Sequence, residues 1–152
     1  MTIKTKVFGE VEIEEDKIIH FPSGIIGFPE LTDFTLLHDQ EKGIGAIHWL
    51  QSVQEPGFAM PVMDPLLVMP EYNPEVDDEL LKNIGELVEG ELLVLVTVTV
   101  PSDLTRMTVN LKGPVIINAA ERKACQIIVE GDAYKVKFPI YDILNAHKKA
   151  GE

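Results

Sequence analysis

The sequence predicts a mainly β fold: a small antiparallel β-barrel-like domain with one or two short helices. Three observations carry this. Short runs of alternating or β-branched residues recur along most of the chain. Gly, Pro, Asn and Asp interrupt them at close intervals. Helical spacing of apolar residues occurs only after residue 73 and after residue 139. Many short strands with breaker-rich turns pack as a sandwich or a small barrel, and closure into a barrel also removes exposed edges.

The elements follow in order. Ile3, Thr5 and Val7 alternate with Lys4 and Lys6, and Val11 and Ile13 alternate with Glu10, Glu12 and Glu14. Period two marks half-buried strands, and Gly9 marks the turn between them. Lys4 and Lys6 are expected to face Glu10 and Glu12 across this hairpin. Residues 17–21 form a third strand and run into 22–29, where two prolines and two glycines forbid regular structure. Residues 34–37 and 44–51 pair through a polar turn at 39–43. Residues 54–57 turn again, and strands at 58–63 and 66–69 are broken by Asp64-Pro65.

A helix is expected over 74–84. Asn73 can cap it, Pro74 suits its first position, and Gly85 suits its end. Val76, Leu80, Leu81 and Ile84 recur at helical spacing. Glu75, Asp77, Asp78 and Glu79 crowd the first turns, where the helix dipole favours negative charge. Strands return at 92–100, 107–112, 115–118, 125–129 and 134–138, the last two joined by a hairpin at Gly131-Asp132. Pro139 opens a short helix over 140–147 with Tyr141, Leu144 and Ile140 on its inner face.

The chain has 152 residues and reads as one domain over 1–152. No apolar stretch approaches the roughly 18 residues of a membrane span, and residues 1–6 lack the apolar region of a signal peptide. A cytoplasmic location is expected, in keeping with Cys125 as the single cysteine. Asp and Glu number 25 against 13 Lys and Arg, giving a formal net charge of −12. Affinity for nucleic acid rests on Lys and Arg neutralising phosphates. Direct binding of RNA, DNA or an anionic membrane is therefore not expected. A basic protein partner would be attracted, although solubility alone also explains acidity.

No catalytic constellation is legible. His20, His38, His48 and His147 lack partners at metal-ligand spacing, and Cys125 lies in a β-run that reads as a buried, inert thiol. Ser23 is not in a nucleophile elbow, and Gly24 and Gly27 do not form a phosphate loop. No enzyme activity, metal or cofactor is expected. Apolar residues in breaker-rich segments stand out instead. Ile25, Ile26 and Phe28 share one Pro/Gly loop, and Met60, Met63 and Met69 cluster around three prolines. Such residues either plug the ends of a barrel or form a partner surface on a rigid scaffold.

Three blocks then point to a family. Phe21-Pro22-Ser23-Gly24-Ile25-Ile26-Gly27-Phe28-Pro29-Glu30 resembles the F-P-x-G-[IL]-x-G-F pattern of the flagellar assembly factor family, FliW. Trp49-Leu50-Gln51-Ser52, followed by Phe58 and Asp64-Pro65, resembles its second block. Thr108-Val109-Asn110-Leu111-Lys112-Gly113-Pro114-Val115-Ile116-Ile117-Asn118, with Gln126 after it, resembles the third. Gly113 departs from the family, which more often shows Ala. Order and spacing fit over nearly the whole chain.

The resemblance implies a cytoplasmic, non-catalytic β-barrel protein of bacteria. It implies two partners: flagellin, and the carbon storage regulator CsrA, a small RNA-binding repressor of flagellin messenger RNA. Captured by accumulating flagellin, such a factor releases the regulator. Set beside the charge, this leads to an expected partner surface of Ile25, Ile26, Phe28 and Met60, ringed by Glu71, Asp77, Asp78 and Glu79. Two other readings stay open: a general flagellin chaperone or adaptor, and a barrel that binds a small ligand.

Overall fold

A hairpin opens the chain. Strands β1 (Thr2–Thr5) and β2 (Gly9–Glu12) pair antiparallel, with Lys4 opposite Glu10 and Thr2 opposite Glu12. The Lys4–Glu10 pairing was expected; Lys6 instead lies in the turn, so Glu12 meets Thr2, whose hydroxyl donates to its carboxylate. The Thr5 hydroxyl donates to the Gly9 carbonyl at 2.9 Å and accepts from the Phe8 amide at 2.8 Å, closing the turn. Phe8 meets Trp49 edge-on at 6.1 Å and ties the hairpin to the rest of the molecule. The structure, a computed structural model, describes residues 2–6, 8–38, 47–74, 76, 78–86 and 90–150.

The remaining strands are β3 (Ile19–His20), β4 (Asp33–His38), β5 (His48–Ser52), β6 (Ala59–Met63), β7 (Leu92–Thr99), β8 (Thr108–Val109), β9 (Val115–Asn118), β10 (Lys123–Gln126) and β11 (Phe138–Pro139). Among the described residues, seven strands close a barrel in the order β3-β4-β5-β6-β7-β9-β10. Its neighbours run antiparallel except at the seam, where β10 meets β3 in parallel at Lys123 and His20. The His20 amide donates to the Arg122 carbonyl at 2.8 Å there. The mainly β, barrel-like fold expected from the sequence is the fold observed.

Phe21, Phe34, Leu50, Val62, Leu95, Val115, Ile117 and Ala124 fill the barrel interior. A second core lies outside it, where Met63, Val96, Val98, Met107, Val109 and Leu111 meet Ile140. That core is covered by β8, β11 and the one α-helix described, α1 (Tyr141–Ala150). Strand β7 therefore buries both faces, Leu95 inward and Val96 and Val98 outward. This explains why it reads as an apolar run and not as an alternation. Ile116 of β9 faces a third cluster with Ile84 and Ile127.

Several expected elements are shorter or different. The helix expected over 74–84 is a 3-10 segment at Asp78–Ile84, and Pro74 and Val76 lie outside it. The Asn73 amide donates to the Tyr134 hydroxyl at 3.0 Å, a tertiary contact at the residue expected to cap the helix. At the far end, Asn118 Nδ2 donates to the Ile84 and Glu86 carbonyls at 2.8 and 2.9 Å, supplying partners that 3-10 ends lack. Glu75 and Asp77, the turn at 39–43, and the side chains of Asp78, Leu80 and His147 fall outside what is described.

The strand expected at 66–69 is a 3-10 turn, Pro65–Leu67, capped by Asp64, whose carboxylate accepts from the Leu66 amide at 2.9 Å. The strand expected over 107–112 ends at Val109, because Asn110 Oδ1 accepts from the Lys112 amide at 3.0 Å and turns the chain. The hairpin expected between 125–129 and 134–138 does not form. Ile127 and Val129 donate to Pro114 and Lys112, while Phe138 pairs with Val109.

Candidate functional site

Loop 21–30 is built to hold one residue out and its neighbour in. Gly24 has φ +68°, and a Cβ there would lie 2.5 Å from the Pro29 carbonyl oxygen. Only glycine permits that close return of the loop on itself. Ile25 and Phe28 exchange backbone hydrogen bonds of 3.3 and 2.8 Å around a turn in which Gly27 has φ +89°. A positive φ at the third turn residue is the requirement of a type II turn. The result separates the three apolar residues. Ile25 is 3% exposed and plugs the barrel interior, whereas Ile26 at 48% and Phe28 at 42% face solvent. Of the expected surface residues, Ile25 is thus an anchor of the loop and not an exposed face.

Two clamps hold this loop. The Ile26 amide donates to Gln126 Oε1 at 3.0 Å, and Gln126 Nε2 donates to the Gly113 carbonyl at 3.1 Å. One side chain so joins loop 21–30 to the turn at 110–113. The second clamp is aromatic. Phe28 packs on Phe58 with ring centroids 4.9 Å apart, Phe58 on Phe34 at 6.3 Å, and Phe34 on Phe21 at 5.1 Å. Phe58 is itself fixed by buried Gln51, whose Nε2 donates to the Ser52, Pro56 and Phe58 carbonyls at 2.9 to 3.1 Å. The three sequence blocks that marked the chain meet in these two clamps.

Beside the loop lies an open depression of about 270 Å³, lined by Ile26, Asn110, Lys112, Gly113, Gln126, Ile128 and Val136. Ile26, Ile128 and Val136 are all largely exposed. These three apolar side chains thus share one face of the molecule. Ile128 and Val136 were not singled out from the sequence. Their proximity depends on residues 127–129 running beside 112–114, which no short-range pattern encodes. A Cβ on Gly113 would come within 2.9 Å of Asn110 Nδ2, so glycine lets the Asn110 side chain close on the turn there.

The other expected surface residues are dispersed. Met60 is half-buried against the barrel core, Met63 is fully buried in the second core, and Met69 packs beside it. Glu71 is exposed next to Tyr72. Glu79 is exposed and pairs with Lys82 at 2.8 Å within the 3-10 segment. Asp77 lies outside the described residues, and Asp78 opens the 3-10 segment.

Among the described residues no three His, Cys, Asp or Glu side chains gather where they could hold a metal ion. His20 Nδ1 lies 2.8 Å from the Asp33 carboxylate at an exposed site. Burial pushes the half-buried Cys125 thiol above its ordinary pKa, which favours the unreactive form. Among the described residues, no helix is long and apolar enough to cross a membrane.

The model of the FliW protein family matches residues 2–140. The chain belongs to the FliW family. It is 46% identical over 155 aligned residues to the flagellar assembly factor FliW of Lachnoclostridium phytofermentans, covering 100% of this chain and 99% of that protein. It is 47% identical over 146 residues to the flagellar assembly factor FliW of Lachnospira eligens, covering 95% and 97%. A crystal structure of the flagellar assembly factor FliW superimposes with a TM-score of 0.84 at 32% identity, covering 93% of this chain and 97% of that one. The loop and its clamps therefore belong to a FliW barrel, and the blocks legible in the sequence are the parts that hold that loop in place.

Proposed function

We propose that this chain is a non-enzymatic flagellum-assembly factor that acts by exchanging two protein partners. Bound to the carbon storage regulator, it keeps that repressor off flagellin messenger RNA. Accumulating flagellin captures it and frees the regulator, and flagellin synthesis falls. The observation that carries this reading is the clamped loop 21–30, which presents Ile26 and Phe28 to solvent beside Ile128 and Val136. Apolar residues held rigidly at a surface lose little entropy on binding and make effective anchors. The net charge of −12 supports the role of the regulator as a partner, because an acidic surface repels the competing RNA. A filled barrel interior, with Phe21, Phe34 and Leu50 fully buried, speaks against a small-ligand barrel.

The test is a binding titration with purified regulator and with flagellin, followed by competition between them. The expected result is that each binds alone and that flagellin releases the regulator. Binding of flagellin with no binding of the regulator would favour a general flagellin chaperone and overturn the exchange.

A further inference from the structure

Strand β7 has one side that is only half used. The Ala119 amide donates to the Glu91 carbonyl at 2.8 Å, and Leu93 and Leu95 stand opposite Ile117 and Val115. In an antiparallel ladder, alternate residues bond to the same neighbour. Glu91, Leu93 and Leu95 therefore bond toward β9, and Leu92 and Val94 aim their N–H and C=O groups to the other side. The neighbour there is β6, where Met63 stands opposite Val96. The next position of that register would set Val94 against Pro65. Pro65 has no N–H and has already turned away into the Pro65–Leu67 turn. Among the described residues no strand accompanies β7 beyond that point on this side, and nothing is bonded to the Leu92 and Val94 groups.

The open edge faces a groove of about 330 Å³. Leu92, Leu93 and Val94 form one wall, Asp64–Leu66 a second, and Tyr72, Pro74 and Val76 a third, and the groove runs on over the sheet face to Pro114 and Ile116 of the β9 side. Leu66, Leu92 and Leu93 are exposed. Natural proteins guard free strand edges with Lys, a bulge or a cover; residues 92–95 carry no Lys, and among the described residues no strand covers this edge. The surroundings are acidic. Asp64 lines the groove, and Glu71 and Glu91 adjoin Tyr72 and Leu92 without an ion-pair partner among the described residues.

We infer that the β7 edge at Leu92 and Val94 is a strand-addition site for a partner protein. The occupant is an extended segment that is apolar at alternate positions and flanked by Lys or Arg. Backbone hydrogen bonds to the two free residues give the docking, alternate side chains enter the groove, and the flanking cations meet Asp64, Glu71 and Glu91. A second copy of this chain fits poorly, because it brings the same edge with another −12 of charge. The site is separate from the loop surface proposed above and does not depend on the identity of the partners there.

Amide hydrogen exchange read by NMR tests this with a short peptide of alternating Val and Thr flanked by Lys. In the free protein the Leu93 and Leu95 amides should be protected and those of Leu92 and Val94 should exchange fast. At nine-tenths saturation with peptide the latter two should slow by about tenfold, since only the free fraction then exchanges. The same peptide with alternate backbone nitrogens methylated keeps its charge and side chains and should not bind. Leu92→Pro, which removes an N–H that points away from β9, should also lose binding. The inference is overturned by equal binding of the methylated peptide, by equal binding of a Glu-flanked peptide, or by protection of Leu92 and Val94 in the free protein at every concentration. Protection that grows with protein concentration alone would assign the edge to a second copy and equally overturn it.

Discussion

The backbone amide of Ile26 donates to the side-chain oxygen of Gln126 at 3.0 Å, joining a loop near the start of the chain to a strand near its end. Gln126 closes the link by donating to Gly113. The exposed tip of the loop is thereby set by a residue a hundred positions away. Gln126→Leu keeps the bulk and removes both bonds. A net loss of about 1–3 kcal/mol in stability is expected, at about 0.5–1.5 kcal/mol for each of the two bonds. The Ile26 amide should exchange faster, and partner affinity should fall more than stability does. Denaturant unfolding beside a binding titration separates the two effects. A variant that binds at full affinity would mean that the loop holds its shape without the clamp.

The two glycines of the loop make different demands. A Cβ on Gly27 meets nothing within 4 Å, so Gly27→Ala carries only the left-handed backbone penalty of about 1–2 kcal/mol. Gly24→Ala adds a collision with the Pro29 carbonyl and should cost clearly more. Chemical denaturation of the pair gives the ranking. Equal costs would mean that residues 24–29 open freely to admit the methyl group.

Legibility followed the range of the interactions. The β1–β2 hairpin, β9 and the breaker-rich loop were readable because alternation and glycine placement act within a few residues. The barrel seam between His20 and Lys123 was not, since one parallel contact between distant segments leaves no local pattern. The helix expected after Asn73 is replaced by the shorter 3-10 segment Asp78–Ile84, whose end is held by Asn118 from a distant part of the chain. In the loop, Ile25, Ile26 and Phe28 read alike as apolar residues among breakers. Only the turn geometry separates the buried Ile25 from its exposed neighbours. Gln126 stood in a recognisable block, but its bond to Ile26 required the fold.

The 3-10 segment Asp78–Ile84 is held to the barrel through Ile84, with Leu81 packed beside it. Ile84 is fully buried against Ile116 and Ile127, and Asn118 takes its carbonyl. Ile84→Ala should cost about 2–5 kcal/mol, the range for truncating a buried aliphatic residue. A midpoint shift in urea measures it. A cost below about 0.5 kcal/mol, as at surface sites, would mean that the segment does not pack on the barrel in solution.

Tyr72 should give a distinctive alkaline response. Its hydroxyl donates to the Leu111 carbonyl at 2.5 Å inside the second core, and burial, with Tyr134 beside it, pushes its pKa up to about 12. An unfolded tyrosine titrates near 10. Between about 10 and 12 the folded state therefore holds a proton that the unfolded state has lost, so stability falls as pH rises through that window. Below about 10 the contribution is fully present. Tyr72→Phe lacks the ionisable group and should be less stable at neutral pH by about 1 kcal/mol, with a flatter decline above pH 10. Parallel declines in the two proteins would locate the alkaline sensitivity elsewhere.

Apolar anchoring and acidic charge should be separable in partner binding. On the proposed reading Ile26, exposed at the loop tip, is the anchor and its removal should act on the dissociation rate, whereas acids such as Glu71 and Glu79 should act on encounter. Charges are screened over about 8 Å at physiological salt, and apolar contacts are not. Ile26→Asp should therefore weaken regulator binding at both low and high salt. A buried anchor is worth about 2 kcal/mol or more, on the order of thirtyfold in affinity. Neutralising Asp77, Asp78 and Glu79 together, as Asp77→Asn, Asp78→Asn and Glu79→Gln, should leave the regulator bound. Its association should slow, the salt dependence should become shallower, and the complex should exclude flagellin messenger RNA less well. Titrating both variants with regulator, with and without RNA, at two ionic strengths measures all of these. If the neutralised variant displaces RNA as well as the parent does, the acids do not oppose RNA and direct steric competition accounts for the exclusion. If Ile26→Asp binds normally, the loop serves only to close the barrel and the binding surface lies on another face.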